Sequence, residues 1–227
     1  EVAFARAHTD RPLKFTMPGP MTIVDTLADD FYGDRPAMAM AFADILNEEA
    51  KELVAAGADV IQFDEPAFNV YLDAVPTWGL GALDRAVKGV DCTTGVHICY
   101  GYGIKANLDW KETLGAVWDQ YRTTLPAIAE SDIDQVSLEF AGARVPIEVI
   151  ALLEGRKDVL VGAIDVTTHE AESPQAVAAI IRAALDHAPA ERIFPCTNCG
   201  MVPLPRRVAV AKMKALAAGA AIVRAEL

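Results

Sequence analysis

Asp59-Val60-Ile61-Gln62-Phe63-Asp64-Glu65-Pro66 is the stretch that decides the fold class. Its apolar centre reads as a strand of the buried, parallel kind, closed by two carboxylates and stopped by a proline. Working upstream, residues 35–56 carry a helical pattern that ends at Gly57. Upstream again, 12–17 is a short apolar run broken by Pro18-Gly19-Pro20. Downstream, 80–90 reads as a helix and 93–99 as a strand ending at Tyr100-Gly101. The alternation continues with a long amphipathic helix over 110–130, a strand over 133–139 and a helix over 145–154. Then come a strand over 158–165, a helix over 173–187, a strand over 192–197 and a helix over 205–217. Ser173-Pro174 suits the N-cap and first position of its helix.

Six strand–helix units predict an α/β fold with a parallel sheet. At the strand ends stand Asp64 and Glu65, His97 and Cys99, Glu139, Asp165, and Cys196 with Cys199. A doubly wound sheet binds ligands mainly at one crevice, whereas a (β/α)8 TIM barrel gathers every strand end into one ring. Reactive groups on five consecutive strands favour the barrel. Six units are two short of eight, and the chain opens at Glu1 inside a helical pattern. The expectation is a single barrel domain over 1–227 that lacks its first two strands.

Composition narrows the function. Thirty-two acidic against 20 basic residues give a net charge of −12. Phosphate-backbone binding rests on Lys and Arg, so no nucleic-acid partner is expected. No apolar run approaches the roughly 18–20 residues of a membrane span. No leader-like segment opens the chain, and the expected location is cytoplasmic. Four cysteines are too few for a disulfide scaffold.

His97-Ile98-Cys99 puts two zinc-type ligands on one face of a strand, because positions i and i+2 point the same way. The alternative is a buried Cys beside a hydrogen-bonded His. Cys196-Thr197-Asn198-Cys199 could be half a zinc ribbon, a redox pair, or one ligand with a bystander. No second CxxC exists, and Gly200 with two prolines follows instead of a helix start, so one ligand from this loop is the economical reading. Glu139 then completes a four-coordinate N, S, O set. Of the adjacent Asp64 and Glu65, one is expected to face the barrel interior. Cys92 reads as core, His8 and His187 as surface, and Trp78, Trp110 and Trp118 as packing, the last two on one helical face.

Six motifs occur in order: Gly19-Pro20-Met21-Thr22, Gln62-Phe63-Asp64-Glu65-Pro66-Ala67, Val96-His97-Ile98-Cys99-Tyr100, Ser137-Leu138-Glu139, Gly162-Ala163-Ile164-Asp165-Val166 and Asn198-Cys199-Gly200. Together they resemble the C-terminal barrel of cobalamin-independent methionine synthase, above all its short single-barrel relatives. The resemblance implies a Zn2+ ion on His97, Cys99, Glu139 and Cys199, with Asp64 and Glu65 on the amino-acid substrate and Asp64 as the catalytic-site carboxylate. It implies methyl transfer to homocysteine from a corrinoid or folate donor. Thr26 stands where folate-dependent relatives place a Trp, and Thr167 where they place a catalytic His, with His169 two residues on. The family's first-strand motifs for homocysteine are absent here. Two other readings stay open: alkyl transfer to another thiol, as in epoxyalkane–coenzyme M transferases, and a metal-binding barrel without catalysis.

Overall fold

The computed structural model describes residues 1–102 and 105–227. In chain order it holds α1 (Val2–Arg6), β1 (Lys14–Pro18), α2 (Pro20–Thr26), α3 (Arg35–Ala55), β2 (Val60–Asp64), α4 (Ala67–Val70), α5 (Leu80–Val87) and β3 (Thr93–Ile98). These are followed by α6 (Lys105–Thr113), α7 (Gln120–Ala129), β4 (Gln135–Glu139), β5 (Asp158–Ile164), α8 (Pro174–Leu185), β6 (Ile193–Thr197) and α9 (Arg206–Arg224). The six strands form one sheet in the order β1-β2-β3-β4-β5-β6. β1 with β2, β2 with β3, and β5 with β6 run parallel. A strand order that follows the chain without reversal is that of the (β/α)8 class, since a doubly wound sheet reverses at its switch point. The expected α/β class is therefore the one found.

The chain divides into two compact units. The first comprises Glu1–Ile98 and Pro126–Val136. In it β1 pairs in register with β2, Lys14 opposite Val60, and β2 with β3, Asp64 opposite His97. The core of these strands is Ile61, Phe63, Val96 and Ile98, all fully buried. Arg6 of α1 reaches the Gly57 carbonyl at 3.0 Å and pairs with Asp59, fastening α1 to the start of β2.

The second unit comprises Cys99–Leu125 and Ser137–Leu227. β5 pairs with β6, with a register irregularity between Gly162 and Ile164, and α8 packs on α9. Ser173 Oγ accepts the Ala176 amide at 3.1 Å, the N-cap read from its sequence.

Two elements depart from expectation. The single helix over 110–130 is two, α6 and α7. Between them the Trp118 amide donates to the Arg144 carbonyl at 2.9 Å, and the Arg144 guanidinium donates to the Gly115 carbonyl at 2.7 Å. These long-range bonds replace the helical ones that a continuous helix would have made. Trp110 and Trp118 nonetheless serve one face, since both rings pack on Tyr100, at 5.9 and 4.7 Å between centroids. The segment 145–154 is a 3-10 helix over Ile147–Leu153, ended by Glu154 at φ 51.

Candidate metal centre

At the end of β2, Glu65 is wholly buried. Its Oε1 accepts the Met21 amide at 2.9 Å, and its Oε2 accepts the Thr22 amide at 2.8 Å and the Thr22 hydroxyl at 2.7 Å. These are the otherwise unsatisfied donors at the start of α2, so Glu65 caps that helix from a distant strand. Gly19 sits against the carboxylate so closely that a Cβ there would collide with it. Burial pushes the Glu65 carboxyl up to about 7 against the pull of those three donors.

Its neighbour Asp64 is half-buried, and its Oδ1 accepts Gln62 Nε2 at 2.9 Å. Gln62 Oε1 in turn accepts Lys14 Nζ at 3.0 Å, a relay from β1 through β2 to the strand mouth. Of the two adjacent carboxylates, Glu65 is therefore committed to helix α2, whereas Asp64 is held at the strand end by Gln62.

β3 carries His97 opposite Asp64 in the ladder, and the Glu65 amide donates to the His97 carbonyl at 2.8 Å. The strand runs on into Cys99. His97 and Cys99 are 5% and 4% exposed. One ring nitrogen of His97 and the Sγ atoms of Cys99 and Cys199 all lie within 4.8 Å of one another. Cys196 is outside this group, with its Sγ 3.9 Å from Ser137 Oγ. Glu139 is also outside the triplet. It is 1% exposed, its Oε2 accepts the Tyr100 amide at 3.0 Å, and its own amide donates to the Tyr121 hydroxyl at 3.2 Å.

The donor set suits a soft divalent cation. Cys99 Sγ and Cys199 Sγ are 4.0 Å apart. The bond to Cys199, then burial, push the Cys99 thiol well above the ordinary thiol range. Two sulfurs this close, one buried and one half-buried, cannot both be thiolates without a positive charge beside them, a charge that a bound cation would supply. An imidazole with two thiolates is a ligand set of zinc sites.

Asn198 enters the sequence analysis only within the Asn198-Cys199-Gly200 motif, with no role of its own, yet it fixes the loop that carries Cys199. Its Nδ2 donates to the Ala141 carbonyl at 2.6 Å, its Oδ1 accepts the Phe140 amide at 3.2 Å, and its amide donates to the Ile164 carbonyl at 3.0 Å. Gly162 lies under it. A Cβ there would clash with the Asn198 amide oxygen and would meet the Leu138 carbonyl at 2.6 Å. The place of Asn198 beside Cys199 in that motif was the available signal.

After β5, Asp165 Oδ1 accepts the amide and hydroxyl of Thr167 at 2.8 and 2.7 Å. Thr167 and His169 are exposed. The loop is held from below by Lys212 of α9, which is fully buried. Its Nζ donates to the carbonyls of Asp165 and Glu170 at 2.8 and 2.6 Å and to Glu172 Oε1 at 3.0 Å. Thr26 is exposed and turns its hydroxyl back to the Ile23 carbonyl at 3.0 Å.

Residues 1–221 match the family model described as cobalamin-independent synthase, catalytic domain. Among curated proteins, the methionine synthase of Saccharolobus islandicus (strain Y.G.57.14 / Yellowstone #1) is 32% identical over all of this chain, and that of Sulfurisphaera tokodaii is 30% identical. The chain spans about 63% of the length of the first and 62% of the second. A solved B12-independent methionine synthase from Shewanella sp. W3-18-1, in complex with selenomethionine, is 54% identical. It superposes with a TM-score of 0.96 over 99% of this chain and 66% of its own. A methyltransferase from Methanosarcina mazei, at 19% identity and a TM-score of 0.64, shares the fold.

Proposed function

Because the chain belongs to the cobalamin-independent synthase catalytic-domain family, we propose that it transfers a methyl group to the thiol of homocysteine, giving methionine. The observation that carries this is the group of buried His97 and Cys99 with half-buried Cys199, whose ligand atoms lie within 4.8 Å of one another. The selenomethionine held by the Shewanella relative supports a sulfur amino acid as ligand.

In this reading His97, Cys99 and Cys199 hold one zinc ion, with Glu139 as the fourth ligand. When bound, zinc supplies the charge that keeps a substrate thiol deprotonated at neutral pH, well below its ordinary pKa of about 8.5. Asp64 receives the substrate ammonium, and the Gln62 bond keeps its carboxylate in one orientation. Glu65 acts at one remove, since its carboxylate locks the start of α2. Tyr121 and the Tyr100 amide hold Glu139 and its strand end in place. Among the described residues no helix is long and apolar enough to cross a membrane, and the proposal places the reaction in the cytoplasm.

The donor is a corrinoid-bound methyl group in preference to methyltetrahydrofolate. Thr26 offers no ring for a pterin to stack on, a deficit on the order of 1–3 kcal/mol by analogy with base–aromatic stacking. The hydroxyl and amide of Thr167 are spent on Asp165, which leaves no acid there to protonate a folate nitrogen as it leaves. Cobalt departs with the electron pair and needs no proton.

The test is methionine formation by the zinc-loaded protein, with methylcobalamin and methyltetrahydrofolate supplied at equal concentration. Cys199→Ser should abolish turnover and stoichiometric zinc, whereas Cys196→Ser should keep both. Equal loss in the two variants would defeat the ligand assignment. Turnover with methyltetrahydrofolate alone would defeat the donor assignment, and none with either donor would defeat the reading as a whole.

A further inference from the structure

Lys111 of α6 is 8% exposed, and its ammonium faces two aromatic rings. It lies 3.8 Å from the centroid of the Tyr102 ring and 5.6 Å from that of Trp118. In a chain with 32 acidic residues, a lysine whose stem is buried and whose ammonium is set over aromatic faces stands out. Ring quadrupoles attract a cation but use none of its N–H donors, which stay available to an incoming acceptor.

The surroundings tie Lys111 to the metal centre. Tyr102 follows Cys99 by three residues, and its hydroxyl is 3.5 Å from Nδ2 of Asn198, the residue before Cys199. Trp118 packs on Tyr100, the residue after Cys99. The ammonium is thus fixed by rings that flank two of the three grouped ligands. Its remaining donors are open to whatever binds there.

From this placement we propose that Lys111 is the oxyanion-binding residue of the centre, taking a carboxylate or phosphate carried by one of the two substrates. The inference rests on the methyl-transfer reading for the identity of those substrates. Their shared chemistry is a small, singly or doubly charged oxyanion. An ammonium held over aromatic rings meets it as a point charge, without the bidentate geometry of an arginine.

Trp110 and Trp118 make the site observable without turnover, because both rings contact Tyr100 in the same cluster. Inorganic phosphate titrated into the zinc-loaded protein at constant ionic strength should change tryptophan fluorescence saturably. The change should be lost in Lys111→Met and kept in Lys111→Arg. No saturable change in the wild type, or the same change in Lys111→Met, overturns the inference whatever the activity of the protein.

Kinetics then separate the two sources. If the anion belongs to the acceptor, Lys111→Met raises KM for homocysteine about tenfold to a hundredfold but leaves KM for 3-aminopropane-1-thiol, which lacks the carboxylate. If it belongs to the donor, the same rise appears for methylcobalamin and not for methylcobinamide, which lacks the nucleotide phosphate. A uniform fall in kcat with every substrate pair would show Lys111 to be structural and overturn the assignment. Absence of turnover in the wild type overturns the methyl-transfer reading, and the phosphate titration alone then decides whether Lys111 binds an oxyanion.

Discussion

Glu65 shows how one residue can join two elements and register pH. Its carboxyl is pushed up to about 7 by burial, against a value of 4.5 in an unfolded chain. Between those values the folded protein holds a proton that the unfolded chain has released. The contribution is therefore complete below about pH 4.5 and lost as pH rises through about 7, a change of about 3 kcal/mol. Thr22 Oγ1 both donates and accepts, so it can turn to receive the proton on the acid side. Urea midpoints measured from pH 4.5 to 7.5 in the presence of chelator should fall with pH in the wild type and flatten in Glu65→Gln. Parallel profiles would show that the three donors, and not burial, set this group. That the pair Asp64-Glu65 would divide its work was legible from adjacency at a strand end. Which of the two would serve helix α2 was not, because the partners Met21 and Thr22 lie more than 40 residues away.

The elements themselves were legible where hydrophobic period and turn residues agree. The six strands are short apolar runs with a hard stop, and all six stand within a few residues of expectation. The break between α6 and α7 was hidden because it is made by the Arg144 loop, a tertiary contact that the local pattern does not carry. α9 offers the opposite case. Its buried stripe is Val208, Lys212, Ala215, Gly219 and Val223, at helical spacing, with a lysine where an apolar residue belongs. That lysine holds the loop after β5 through two carbonyls and Glu172. Lys212→Met should destabilise by about 3–5 kcal/mol, because Glu172 is left as an uncompensated, largely buried charge, and adding Glu172→Gln should recover part of the loss. Chemical denaturation of the two variants decides it, and equal stability in both would mean that the carbonyl contacts dominate. The loop carrying Cys199 depends likewise on Asn198. Asn198→Asp loses the donor to the Ala141 carbonyl and sets a charge against it. Zinc affinity, read by competition with a chromophoric chelator, should fall about tenfold to a hundredfold with the fold intact. Unchanged affinity would leave Asn198 a loop fastener with no bearing on the metal.

Across the whole molecule, the proposed ligands stand at positions 97, 99 and 199, so that chain segments 100 residues apart would have to come together before an ion could bind. An unfolded chain offers the same side chains at random separations, and its affinity for the ion is correspondingly poorer. Binding therefore draws on folding, and the native state gains RT ln(1 + [L]/Kd), about 2.7 kcal/mol when free zinc is a hundred times its dissociation constant. For a chain of this length each kcal/mol moves the melting temperature by roughly 2–4 °C, so zinc-loaded protein should melt about 5–10 °C above chelator-treated protein. The shift also reports which sulfur of the CxxC takes part. Cys199 is grouped with His97 and Cys99, whereas Cys196 faces Ser137. Cys199→Ser should therefore melt at one temperature with or without zinc, and Cys196→Ser should keep the full difference. A shift surviving in Cys199→Ser but lost in Cys196→Ser would place the ion on the other arm of the loop. No shift in the wild type, with zinc shown to be absent after dialysis, would mean that these three side chains are packed together for a reason other than holding a metal.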